Sequence, residues 1–181
     1  MEDIKHIIQR CIANDRKYQK IFYERYRGYA LRTVFRYIYR YEKAIDVTND
    51  GFVKLFSSFS KFKADSDEET ERVLMGWMKR IMINASIDEL RKSNMLPEIG
   101  GIPEYVWNMA DNSWEADHLL LYKDLLVMIK DLPPSYRTVF NLYIIDGYTH
   151  SEIADMMKRA IGTSKANLSK ARALLQKSVK K

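Results

Sequence analysis

Apolar residues recur every three or four positions along most of the chain, and no window alternates apolar with polar residues long enough to build a half-buried strand. The pattern predicts an all-α protein. From Lys17 to Phe62 the stripe is unusually aromatic, with Tyr18, Phe22, Tyr26, Tyr29, Phe35, Phe52, Phe56, Phe59 and Phe62 falling mostly at helical spacing. Such a stripe reads as the core of a helical domain for most of its rings. Within it a helix is expected from about Ile45 to Phe59, with Val47, Phe52, Leu55, Phe56 and Phe59 on one side and Asp46, Asn49, Asp50 and Lys54 on the other.

The acidic run Asp65 to Glu71 precedes a second helix beginning near Thr70 or Arg72, where acids favour the positive end of the helix dipole. That helix turns Leu74, Trp77, Met78, Ile81, Met82 and Ala85 inward and continues through Lys79, Arg80, Asn84, Asp88, Arg91 and Lys92. Basic groups interleaved with amides and an aromatic suit single-stranded nucleic acid, since every base offers a face to stack and an edge to bond. Punctuation then concentrates between Ser93 and Asp117, where Asn94, Pro97, Gly100, Gly101, Pro103 and Asn112 interrupt every helical pattern. The expected organisation is a first domain over 1–92, a flexible linker over 93–117 and a second domain over 118–181. Ile102, Tyr105, Val106, Trp107 and Trp114 suggest that part of the linker docks on a surface.

The last third reads as three helices in the order of a helix-turn-helix. Pro133 and Pro134 suit a helix start, and Val139, Phe140, Leu142, Tyr143 and Ile144 continue it until Gly147. Thr149 is an N-cap with Glu152 three residues on, the reciprocal arrangement of a capping box, followed by Ile153, Ala154, Met156 and Met157. A final helix from about Ile161 packs Leu168, Ala171 and Leu175 inward. It turns Thr163, Ala166, Ser169, Lys170 and Lys177 outward.

Charge sharpens this reading. From Lys158 onward there are eight Lys or Arg and no Asp or Glu, so the net charge of +6 sits at one end of an otherwise nearly balanced chain. A basic helix face gains affinity for a phosphate backbone by releasing counterions. Cys11 is the single cysteine and excludes an internal disulfide. No basic-then-apolar leader stands at the start, where Glu2 and Asp3 are found, and apolar runs such as Leu125 to Ile129 are far too short to span a bilayer. A reducing cytoplasm is the expected compartment. His6, His118 and His150 are dispersed and no phosphate loop or metal-ligand spacing appears, so neither catalysis nor a cofactor or metal is expected. A dimeric repressor would need a heptad seam, and none is evident.

The chain as a whole resembles the sigma-70 family, specifically the two-domain extracytoplasmic-function (ECF) sigma factors, over about residues 10–92 and 118–178. The resemblance is sharpest in Leu132-Pro133-Pro134-Ser135-Tyr136-Arg137, in Gly147-Tyr148-Thr149-His150-Ser151-Glu152-Ile153-Ala154 and in Gly162-Thr163-Ser164-Lys165-Ala166-Asn167-Leu168-Ser169-Lys170-Ala171-Arg172. These are similar to sigma region 4, which reads the minus-35 promoter element. The resemblance implies that Thr163, Ala166, Ser169 and Lys170 meet bases there while Lys165 and Arg172 meet phosphates. Ala44 to Phe56 is similar to the helix that docks on the clamp helices of the polymerase β′ subunit, which gives Asp46, Asn49, Asp50 and Lys54 that role. Trp77 to Asp88 resembles the segment that captures the minus-10 element as a single strand, which implies the same for Trp77, Lys79, Arg80, Asn84, Asp88 and Arg91. The implied partners are core RNA polymerase, through its β′ clamp helices and β flap, promoter DNA, and an anti-sigma factor of the kind that can be membrane-anchored. The chain departs from the family at Ile45, usually an acid, and at Asn49, usually Gln. It also departs at Lys158-Arg159-Ala160, where the family has Gly or Asn, an apolar residue and Ser.

Overall fold

The structure, a computed structural model, describes residues 3–63, 69–95, 125 and 127–179, and among these every regular element is helical. Residues 96–117, the greater part of the expected linker, lie outside the described residues, as do most of the acidic run before Glu69 and His118. In chain order the elements are α1 (Ile4–Ile12), α2 (Arg16–Phe35), α3 (Tyr41–Ser58) with a closing 3₁₀ turn (Phe59–Lys61), α4 (Thr70–Lys92), α5 (Pro134–Phe140) extended by a π-helical turn (Asn141–Ile145), α6 (His150–Met157) and α7 (Ile161–Val179). They group into two compact units: α1–α3 and α4 as far as Ser86 form the first, and the end of α4 from Ile87 groups with α5–α7 in the second.

The aromatic stripe is the core of the first unit. Phe22 is wholly buried and touches Tyr26, Phe52, Phe56 and Phe59, with the Phe59 ring 5.1 Å away and perpendicular to it. Edge-to-face pairs of this kind add about 1 kcal/mol beyond the area they bury. Leu74, Met78 and Met82 of α4 complete the core. Gly51 lets α4 approach: a Cβ there would stand 2.4 Å from the Met82 sulfur. Two polar ties bind α2 to the start of α4, since Glu71 accepts from Arg25 and from the Tyr26 hydroxyl, each at 2.8 Å. Burial, and then the Glu71 carboxylate, push the Tyr26 phenol above its ordinary pKa.

Two features of this unit differ from expectation. Helix α3 begins at Tyr41, four residues before the expected start at Ile45, with the extended backbone of Arg40 at its N-cap. Helix α1 was not expected, although Ile4, Ile7, Ile8 and Cys11 have helical spacing and Asp3 caps it by accepting from the Lys5 N–H at 3.3 Å. Cys11 is fully buried at its end. Burial, with a contribution from Asp15, pushes its thiol up to about 11, so it stays protonated and unreactive at neutral pH.

In the second unit α7 packs on both α5 and α6. The predicted capping box is present, with the Glu152 carboxylate accepting from the Thr149 N–H at 2.8 Å and the Thr149 hydroxyl oxygen accepting from the Glu152 N–H at 3.3 Å. The preceding helix does not run regularly to Ile144. It widens after Phe140, where the Asp146 N–H reaches back to the Asn141 carbonyl at 2.9 Å, and Gly147 ends it at φ 76°. Tyr143 and Ile144 therefore lie on the surface.

Three helix ends share one geometry. After α1, α4 and α6 a left-handed residue (Asn14, Asn94 and Lys158 respectively) is followed by an N–H that bonds back five residues, as Arg159 does to Ala154 at 3.0 Å. This is the Schellman arrangement, which favours Gly or Asn at the left-handed position because a Cβ there crowds the carbonyl. Lys158 adopts it at φ 50° with a full side chain. Ala160, which precedes α7, offers a carbonyl to the Thr163 and Ser164 N–H groups but no side-chain oxygen. Lys158→Asn and Ala160→Ser should each stabilise the second unit by about 1 kcal/mol, measured as slower amide exchange in α6 and α7 of the full chain.

Candidate functional site

The outward face of α7 is set by what its other side buries. Ser164, Leu168 and Ala171 are buried and Leu175 is half-buried, which leaves Thr163, Lys165, Ala166, Ser169, Lys170 and Arg172 all exposed. At 100° per residue, Thr163, Ala166, Ser169 and Lys170 share the outermost arc, while Lys165 and Arg172 lie together on one flank. On the opposite flank the Lys170 ammonium lies 5.7 Å from the centre of the Tyr136 ring of α5. A cation held over a ring keeps its charge but loses freedom, so Lys170 is presented in a fixed place.

Behind this face lies a group that the sequence pattern did not mark. His150, the first residue of α6, stacks on Tyr143 with ring centres 4.4 Å apart and planes 21° from parallel. Its Nδ1 lies 2.9 Å from the hydroxyl of buried Ser164. The widened turn after Phe140 brings Tyr143 into this stack. The spacing of Ser164 from Leu168 and Ala171 is the signal that could have marked it as inward.

On α3, Asp46, Asn49, Asp50 and Lys54 are all exposed. Asp46 and Asn49 lie on the outward arc with Asp50 beside them, and Lys54 stands at its far edge. The Tyr23 hydroxyl of α2 donates to the Asn49 side-chain oxygen at 3.1 Å and holds that amide in place. Val53, 68% exposed in the middle of the same arc, was not singled out from sequence. An aliphatic side chain flanked by Asp46 and Asp50 gives the face an apolar centre with an acidic rim, the composition of a protein-docking patch.

On α4, Trp77, Arg80, Asn84, Asp88 and Arg91 fall within one 80° arc at 100° per residue. Lys79 points to the opposite side of the helix. Arg80 and Asn84 are exposed, while Arg91 Nη2 lies 2.5 Å from the Asp88 carboxylate and the two partly neutralise each other. Trp77 is half-buried against Phe59 and Phe62, with ring centres 5.6 and 5.3 Å away. It therefore serves the core as well as the stripe. Among the described residues no cluster of His, Cys, Asp or Glu could hold a metal ion, and no helix is long and apolar enough to cross a membrane.

Helices arranged in two units, with polar exposed faces on α3, α4 and α7, match two family models: sigma-70 region 2 over residues 22–95 and sigma-70 region 4 over residues 122–175. RNA polymerase sigma-H factor of Pseudomonas aeruginosa is 24% identical over 195 residues, covering 98% of this chain and 94% of its own. ECF RNA polymerase sigma factor SigW of Bacillus subtilis is 24% identical, covering 86% of this chain and 85% of its own. The sigma factor RpoE of Bartonella quintana, solved with the anti-sigma factor NepR, superposes with a TM-score of 0.52 at 21% identity over 83% of this chain and 89% of that one. The chain belongs to the sigma-70 family, in its extracytoplasmic-function branch. It binds core RNA polymerase and directs promoter-specific initiation of transcription, and its family comprises initiation factors and not classical enzymes.

The packing of Trp77 separates it from its neighbours on the arc. Trp77→Ala should destabilise the first unit by about 3 kcal/mol, whereas Arg80→Ala and Asn84→Ala should stay within about 0.5 kcal/mol of wild type; urea unfolding of the full chain followed by far-UV circular dichroism would check this.

Proposed function

We propose that the functions of initiation are divided among the three faces as follows. The outward arc of α3, with Asp46, Asn49, Asp50 and Lys54, docks on the β′ clamp helices of core polymerase. The α4 stripe of Trp77, Arg80, Asn84, Asp88 and Arg91, with Lys79 on its flank, holds the minus-10 element as a single strand. The α7 face reads the minus-35 duplex, with Thr163, Ala166, Ser169 and Lys170 toward the bases and Lys165 and Arg172 toward phosphates. Region 2 then corresponds to residues 1–92 and region 4 to 118–181, with 93–117 between them. The matched spans 22–95 and 122–175 support that division.

The observation that carries the reading is the rotation of α7. Burial of Ser164, Leu168 and Ala171 turns every proposed DNA-contacting side chain of that helix to solvent. The protein contributes no catalytic chemistry, because bond formation belongs to the polymerase active site, and it acts in the cytoplasm where polymerase works. The β flap is the second polymerase contact of this reading, made by the second unit. An anti-sigma factor belongs to it as well, since the Bartonella quintana relative is solved with one.

Ser169→Ala or Lys170→Ala should lower transcription from a cognate promoter about tenfold while leaving core polymerase affinity unchanged. Equal loss of polymerase affinity would remove that face from DNA reading. Asp50→Arg should weaken binding to core polymerase at least about tenfold, and unchanged affinity would remove α3 from the docking site.

A further inference from the structure

A groove of about 430 Å³ runs along one flank of α7, walled by His150 on one side and by Lys165, Ser169, Arg172 and Gln176 on the other, with Leu168 in its floor. Two full cations and an imidazole converge on it. None of the residues lining it is acidic, and on α6 Glu152 has its carboxylate committed to the Thr149 N–H and hydroxyl in the capping box. The imidazole is held on two sides, by the Tyr143 ring and by the Ser164 hydroxyl, and Ser164 is buried where it has no solvent to bond instead.

We propose that His150, Lys165 and Arg172 together seat one phosphate of the DNA backbone beside α7, and that Ser164 is the positioning residue that makes His150 a donor. This rests on the reading of α7 as the duplex-reading helix, and it adds the residue from α6 that completes a site on its flank. When the Ser164 hydroxyl donates to Nδ1, the imidazole proton resides on Nε2, the nitrogen left to donate to a phosphate oxygen. The stack on Tyr143 fixes the plane of the ring, and with it the direction of that N–H. Lys165 and Arg172 supply the charge, and Arg172 offers paired donors to two phosphate oxygens. A phosphate held jointly by α6 and α7 fixes where along the duplex the base-facing arc comes to rest, so the site sets register and not base preference.

The test uses the full-length protein and a mixed-sequence DNA duplex at low salt, with affinity followed across a salt series. His150→Phe, which preserves the stack and removes the donor, should weaken binding about tenfold without changing the salt slope. His150→Gln should recover part of that loss, and Ser164→Ala should behave as His150→Phe does. Arg172→Ala should weaken binding and make the slope shallower by about one. Combined with His150→Phe it should be little weaker than Arg172→Ala alone, because both residues hold the same phosphate. Wild-type affinity for His150→Phe, or full additivity with Arg172→Ala, would overturn the proposal. If Ser169→Ala and Lys170→Ala weaken binding while His150→Phe does not, the phosphate site alone fails. If none of these variants changes affinity, or if the protein does not bind the duplex at all, the duplex-reading role of α7 fails with it.

Discussion

The burial of Ser164, Leu168 and Ala171 against α5 and α6 fixes the rotation of α7, and the face proposed to read DNA depends on it. A helix has no intrinsic inside. Turning α7 by one residue would carry its side chains round by about 100° and bring Lys170 or Arg172 toward the interior. Leu168 and Ala171 resist this through apolar burial and Ser164 through its bond to His150, so packing and polar pairing agree on one rotation. The capping box at Thr149 and the left-handed Lys158 then determine where α6 begins and ends, and hence where α7 starts.

The first unit obeys the same constraint with different chemistry. Phe22 gathers Phe52, Phe56 and Phe59 into one aromatic core, and that core decides which side of α3 is left outside. What remains there is Asp46, Asn49, Asp50 and Val53, a patch that has an apolar centre and an acidic rim because the large rings are spent inward. Trp77 belongs to both accounts. Its contacts with Phe59 and Phe62 link the core to the α4 stripe, so that a base stacked there would rest on a ring already braced from behind.

Much of this was legible in the sequence because it depends on periodicity and on caps, which are local. Apolar spacing marked the all-α fold, the inward Leu168 and Ala171, and the exposed arc of α3. Thr149 and Glu152 marked the start of α6. What escaped was decided by tertiary contacts. The widening after Phe140 has no local signature, and it is what places Tyr143 against His150. Ser164 was not marked as inward, and its burial is tolerated because His150 satisfies its hydroxyl. The start of α3 at Tyr41 was missed for want of a capping side chain, since Arg40 makes no side-chain cap bond. Helix α1 has apolar spacing and an Asp cap, but it is only nine residues long, a length at which packing and not propensity decides whether a helix forms. The departures at Lys158 and Ala160 take physical form as a crowded left-handed residue and a helix start with no side-chain oxygen.

On the proposed division of function among the faces of α3, α4 and α7, this protein is a grip on two promoter elements whose spacing polymerase imposes. Run-off transcription with core polymerase on genomic DNA fragments, with and without the full-length protein, tests that claim most directly. Transcripts should appear only when the protein is added, and their start sites should share two upstream elements at constant separation. Protein-dependent binding to DNA fragments without any protein-dependent transcript, or transcripts whose start sites share no such pair, would contradict it.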